Sequence, residues 1–306
     1  MRILLTGGAG FIGSHIADKY VEEGHKVAVL DNLSVGKKEW INSKVNFYEE
    51  NIEDIKSVRR VFEDFNPDIV NHHAAHNDSM DSLETPVEDA ETNILGSINI
   101  LEACRKNNVK KIIYASSGGL SYGEPQKLPT SESHEMNPSY PYGISKHSVE
   151  HYLELYKELY NLDFTVLRYG SVYGSRATGG VIKIFLEAAE RQVKPTIFGD
   201  GTQTRDFIHV EDVVSANLKS LNRGKGIYNI GTSTETSINE LWDIITSIKD
   251  FKMEPDYKER WLGDINRCKL DYTKAREELN WKPNVKLRKG LRKVDLQSSH
   301  ETKESL

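Results

Sequence analysis

The chain has 306 residues, with 40 Lys and Arg against 46 Asp and Glu, a net charge of −6 and 38% hydrophobic residues. At about 150 residues per domain this length implies one large or two modest domains, whose core needs neither disulfides nor a structural metal. The acidic balance excludes a basic nucleic-acid coat, no run approaches the ~18 apolar residues of a membrane span, and two cysteines are too few for a disulfide framework, so the expectation is a soluble, cytoplasmic protein.

In chain order, residues 2–6 are a short apolar run ending in glycines, as a buried strand does. Residues 11–23 then carry Ile12, Ile16 and Tyr20 at helical spacing, closed by Gly24. Further buried runs at 27–30, 45–48, 68–71 and 111–114 alternate with helical patterns at 55–65 and 86–107, the latter with Pro86 in its first turn. A helix is expected at 142–160, with Val149, Tyr152, Leu153 and Tyr156 on one stripe, and a sixth strand at 164–168. Strands alternating with helices predict a doubly wound parallel α/β sheet with helices on both faces.

After residue 171 the beat changes. Strand-like pieces at 196–198, 207–210 and 227–230 are short, and Ser237-x-x-Glu240 is a capping box opening a helix at 241–248. A short helix is expected at 273–279. The expected division is a first domain at 1–170, rejoined at 205–232, a smaller irregular α/β lobe at 171–204 and 233–296, and a frayed polar tail at 297–306.

Thr6-Gly-Gly-Ala-Gly-Phe-Ile-Gly13 stands where the first strand hands over to the first helix. Gly8, Gly10 and Gly13 fit the dinucleotide fingerprint of a Rossmann-type sheet, and Gly7 adds a further glycine to the turn. The new helix, beginning at Phe11 and Ile12, turns free N–H groups toward phosphates. Asp31 ends the second strand 18 positions beyond Gly13, close to the ~20 expected of the ribose-binding acid. A carboxylate there accepts ribose hydroxyls and disfavours a 2′-phosphate, so the expected cofactor is NAD rather than NADP.

Tyr142 and Lys146 lie four apart at the start of a helix and share a face. An ammonium beside a phenol favours phenolate, which can take a hydroxyl proton while hydride leaves the same carbon. Ser116 and Ser117 end the strand before them. His72, His73 and His76 follow a buried strand with no cysteine or paired carboxylate to complete a ligand set, so no metal is expected.

This ordered set resembles the extended short-chain dehydrogenase/reductase family, in particular its nucleotide-sugar epimerases and dehydratases. The likeness spans about residues 1–290, through the glycine turn, Asp31-Asn-Leu33, His73-Ala-Ala75, Asn93-Ile-Leu-Gly96, Ser116-Ser117, Pro141-Tyr-Gly-Ile-Ser-Lys146, Val172-Tyr-Gly174, Phe198-Gly-Asp-Gly201 and Gln203-Thr-Arg-Asp-Phe207. The resemblance implies a 4-epimerase of a UDP-hexose that works by transient oxidation at carbon 4, with NAD held throughout. A dehydratase or decarboxylase, or a catalytically weak NAD-binding scaffold, is the alternative. By resemblance Asn32, Asn51, Ile52, Ala74, Ala75, His76, Asn93, Ser116 and Tyr169 also face the cofactor. Ser117, Tyr142, Ser171, Arg205 and Arg260 face a nucleoside-diphosphate sugar, and two copies pair as a homodimer.

The chain departs from the family's pattern at three of these places. The catalytic Ser or Thr usually stands third after the strand, where this chain has Gly118, which leaves Ser117 as the nearest hydroxyl. The asparagine before Val-Tyr-Gly is Ser171, and the C-terminal arginine is displaced to Arg260 or Arg267. The acid pair that a 4,6-dehydratase needs is replaced by Gly118 and Gly119, which favours epimerisation.

Overall fold

The buried apolar runs pair side by side because their hydrogen-bonding edges find no other partners away from water. In the computed structural model, which describes residues 1–261 and 263–304 and places side chains as far as Asp295, the strands are β1 (Arg2–Thr6), β2 (Lys26–Asp31), β3 (Asn46–Glu49), β4 (Ile69–His72), β5 (Lys111–Ser117), β6 (Asp163–Tyr169) and β7 (Gly226–Ile230). They form one parallel sheet of seven strands in the order β7-β6-β5-β4-β1-β2-β3. The reversal between β1 and β4 opens a crevice at the carboxyl ends of the strands, where ligands of such sheets bind.

Both faces of the sheet are covered. On one, α1 (Phe11–Glu22) packs through Ile16, Ala17 and Tyr20, and the helix α5 (Val210–Ser220) through Val213 and Ala216. On the other lie α2 (Ile55–Phe65), α3 (Ser97–Lys106) and α4 (Pro141–Tyr160), which contribute Val58, Phe62, Leu101, Val149 and Leu153. A separate core around Phe185, Trp242 and Leu291 gathers helices Val181–Glu190, Ile238–Lys249 and Leu287–Glu304 into the second lobe.

The Ser237–Glu240 capping box forms as the spacing requires. Other expected boundaries move for local reasons. The pattern at 86–107 breaks into Pro86–Ala90, a π-helical segment Glu91–Gly96, and α3; such bulges concentrate at functional sites. The strand expected at 207–210 stops at His209, because its imidazole accepts the Glu211 N–H at 3.3 Å and caps α5. The tail expected to fray at 297–306 is helical as far as Glu304, since Leu287–Glu304 is anchored by Leu291 and Val294 in the second core; residues 305–306 lie outside the described residues.

The glycine turn depends on backbone approach. A Cβ on Gly13 would stand 2.1 Å from the Gly7 carbonyl oxygen, whereas one on Gly10 would stand 3.3 Å from it. Gly13→Ala is therefore expected to destabilise the cofactor-free chain by about 1–3 kcal/mol through overpacking. Gly10→Ala should cost less, and thermal melts of the two variants check the ranking.

Candidate active site

A cleft of about 1660 Å³ runs across the carboxyl ends of the strands and down between the two lobes. Gly7 sits at its floor with φ +70°, and a Cβ there would meet the Ala74 nitrogen at 2.6 Å, so only glycine lets the two backbones pass. No side chain caps α1 at Gly10, which leaves the first-turn N–H groups of Phe11 and Ile12 for an anion. Asp31 is buried and pinned, its carboxylate accepting the Ala9 N–H at 2.9 Å and the Leu33 N–H at 2.8 Å. Asn32, Asn51, Ile52, Ala74, Ala75 and His76 continue the same wall. Among the described residues His73 Nδ1 and His76 Nδ1 are buried without a partner, polar atoms that a bound group would satisfy. A cradle that excludes Cβ atoms, an uncapped helix and a fixed carboxylate together fit a dinucleotide.

The sheet and α4 converge at the middle of the cleft. Tyr142 and Lys146 stand in the first turns of α4, and both line the cleft with Ala115, Ser116 and Tyr169. Lys146 is buried, and its ammonium lies 4.8 Å from the ring centre of Tyr114 and 5.7 Å from that of Tyr142. Among the described residues it has no ion pair: Asp89 is taken by Ser145 and Asn93, and Glu150 by Arg168 and Ser116. Burial lowers the Lys146 ammonium to about 8, a shift that the charges of Asp89 and Glu150 partly offset. Burial and the charge of Asp89 push the Tyr142 phenol above its usual range. Sequence reasoning expected the lysine to favour phenolate, but desolvation of the buried phenol is the largest influence on it and raises it instead.

The three histidines separate. His72 ends β4, held between the Thr6 hydroxyl at 2.6 Å and the Ser97 hydroxyl at 2.9 Å. His73 Nε2 meets the Tyr169 hydroxyl at 3.0 Å, and burial beside Lys146 lowers its imidazole to about 3. His76 Nε2 lies 2.8 Å from Asp81.

Three expected site residues stand outside the cleft wall. Asn93 is buried in the π-helical segment, where its amide accepts the His76 N–H and donates to the His76 carbonyl, both at 2.9 Å; it shapes the His76 stretch from behind. Arg260 donates to Asn266 and to the Asp264 carbonyl and so braces its own loop. Ser117 ends β5, its hydroxyl accepting the Leu120 N–H at 3.3 Å. The glycine after it has a packing reason, since a Cβ on Gly118 would stand 2.6 Å from Leu270 and 3.1 Å from the Tyr169 carbonyl. A serine could not stand there without moving Leu270.

Further along the cleft, Arg205 and Ser171 line its wall. Arg205 donates to the Thr204 and Ile265 carbonyls at 2.8 and 3.0 Å and pairs with the Asp264 carboxylate. Phe198 and Trp261 stack beside it with ring centres 4.3 Å apart, both in the cleft wall. Sequence reasoning left these two rings and Asp264 out. The available signal was a tryptophan in a polar stretch, and Trp261 is 43% exposed.

Comparison with known proteins places this geometry. Residues 3–231 match the model of the NAD dependent epimerase/dehydratase family. The chain is 39% identical to a UDP-glucose 4-epimerase of Mycolicibacterium smegmatis, over 96% of this chain and 97% of that one. It superposes with a TM-score of 0.97 on the crystal structure of the Thermotoga maritima UDP-glucose 4-epimerase with UDP-glucose, at 44% identity over 99% and 100% of the two chains. The Thermus thermophilus UDP-glucose 4-epimerase complex with NAD gives a TM-score of 0.92 at 37% identity, covering 96% and 98%.

The buried ammonium sets a stability dependence. Below about pH 8 the folded and unfolded chains both carry the Lys146 charge, so the folded one bears the whole desolvation cost; between about 8 and the ordinary 10.5 the folded chain sheds the proton first and the cost fades. Lys146→Met is therefore expected to raise the melting temperature of the cofactor-free chain at pH 7. That gain should shrink as the pH rises from 8 toward 10.5, a trend that thermal melts across this range would check.

Proposed function

The chain belongs to the NAD dependent epimerase/dehydratase family, and from that premise we propose that it interconverts the 4-epimers of a UDP-hexose of the UDP-glucose/UDP-galactose type. The observation that carries this reading is that Tyr142 and Lys146 open on the same cleft as the glycine turn and Asp31. When bound there, NAD supplies reversible acceptance of a hydride.

The residues take their roles from where they stand. The turn at Gly7, Gly10, Phe11, Ile12 and Gly13 holds the pyrophosphate through N–H groups. Asp31 and Asn32 take a ribose diol, and Asn51 and Ile52 flank the adenine. Ala74, Ala75, His76, Ser116 and Tyr169 line the remainder. Lys146, a buried cation without a contacting anion among the described residues, donates to the oxygens of the second ribose and keeps a positive charge beside Tyr142. Tyr142 removes the proton from the sugar 4-hydroxyl and returns it after the 4-keto sugar has turned. Ser117 turns its hydroxyl from the Leu120 amide to hold the 4-oxygen. Arg205 and Ser171 take the diphosphate, for which the planar guanidinium is suited. No net oxidation results, so the cofactor domain (1–170 with 205–232) never has to release NAD, while the lobe at 171–204 and 233–296 admits and discharges the sugar nucleotide. Among the described residues no helix is long and apolar enough to cross a membrane, and the buried free thiols of Cys104 and Cys268 suit the reducing cytoplasm.

A homodimer is part of the proposal. Leu95, Ile144, Leu155 and Leu159 are all exposed along α4 and the segment leading to α3, an apolar stripe of the kind a two-fold partner covers with its own copy. Light scattering should give twice the chain mass, and Leu155→Glu with Leu159→Glu should return it to a monomer.

The catalytic assignment is tested by incubating the NAD-loaded protein with UDP-glucose and UDP-galactose. Tyr142→Phe is expected to retain NAD and to lower kcat by at least about 100-fold. An unchanged rate would remove Tyr142 as the base.

A further inference from the structure

α4 carries His147, Glu150 and His151 in an H-x-x-E-H spacing, which places two histidines one helical turn apart on one face. The structure turns this spacing into converging ligands. His147 Nε2 and His151 Nε2 face one another at 3.2 Å, with ring centres 4.5 Å apart. Each ring points its other nitrogen at a carboxylate. His147 Nδ1 lies 3.4 Å from Glu150 Oε2, and His151 Nδ1 lies 3.6 Å from Glu154 Oε2.

We propose that His147 and His151 bind one divalent transition-metal ion of the zinc class, with water completing its coordination. Two nitrogens each ~2.0–2.1 Å from one ion stand ~2.9 Å apart at a right angle and ~3.4 Å apart at the tetrahedral angle, so the observed gap already fits a chelate. Glu150 behind the His147 ring is the kind of outer partner that orients a metal-bound histidine, holding Nδ1 protonated and leaving the Nε2 lone pair for the ion, and Glu154 adds a negative charge beside His151. Without a cation or a proton between them, two such lone pairs would oppose each other.

The same spacing serves metallopeptidases, whose glutamate acts as general base. That chemistry is closed here. Glu150 is buried, accepts the Ser116 hydroxyl at 2.6 Å and pairs with the Arg168 guanidinium. The site binds metal without hydrolysing anything. It lies outside the nucleotide cleft, and at 100° per residue the two histidines follow the edge of α4 beside the apolar stripe of Ile144, Leu155 and Leu159.

Zinc titrated calorimetrically into the tag-free, NAD-loaded chain at neutral pH should bind saturably at one ion per chain and raise the melting temperature by mass action. His151→Ala should abolish both effects, and Glu154→Gln should weaken binding about tenfold. His151 and Glu154 are exposed, so melts of these variants without zinc should match the wild type. Wild-type protein that takes up no zinc, or His151→Ala protein that binds it as tightly as wild type, would overturn the assignment.

Discussion

A lysine ammonium sealed among aromatic rings organises this active site. Lys146 faces Tyr114 and Tyr142, while the two carboxylates whose charges reach it, Asp89 and Glu150, are each consumed by other donors. A buried cation with only ring faces for company is costly. Ligand oxygens and a phenolate are what would relieve it, so under the proposed assignment the cost of burying this charge would become affinity for a ribose diol and stabilisation of ionised Tyr142. Without the cofactor, burial drives the phenol up and the ammonium down. The phenol is then held protonated until the site is filled, whereas the ammonium gives up its proton more readily than an exposed lysine.

Everything around that pair serves to hold it there. Ser145, one residue before Lys146, donates to Asp89, which also accepts from Asn93, and Asn93 grips the backbone of His76 in the cleft wall. The π-helical segment thus ties the turn that carries Tyr142 and Lys146 to the wall beside the glycine cradle. Glu150, one turn beyond Lys146, binds Arg168 of β6 and Ser116 of β5. The turn of α4 that holds Tyr142 and Lys146 is clamped at both ends by buried polar contacts, the kind of support a precisely placed site requires. The zinc-class site proposed at His147 and His151 shares Glu150 with this clamp.

Most of the first domain was legible because its signals are local. The runs in β1 to β6 are short, apolar and separated by helical periods, and the glycine turn sits at the one junction where its backbone approaches are required. That Tyr142 and Lys146 share a cleft with the glycine turn was legible from their spacing within that context. The wall around Arg205 was not, because its contacts are made by residues far apart in the chain. Nothing near Arg205 in sequence announces Asp264, and nothing near Gly118 announces the Leu270 side chain that excludes a Cβ. The electrostatics of the pair also escaped sequence reasoning. A four-residue spacing tells that two groups are neighbours, not how deeply the fold buries each of them.

The most direct measurement is the pH dependence of kcat/KM for interconversion of UDP-glucose and UDP-galactose by wild-type protein, Lys146→Arg and Lys146→Met. If the lysine charge holds down the phenol of the working enzyme, the acid-side limb should move to higher pH by about one unit or more in Lys146→Met and stay close to wild type in Lys146→Arg. An acid limb that Lys146→Met leaves in place would contradict the account.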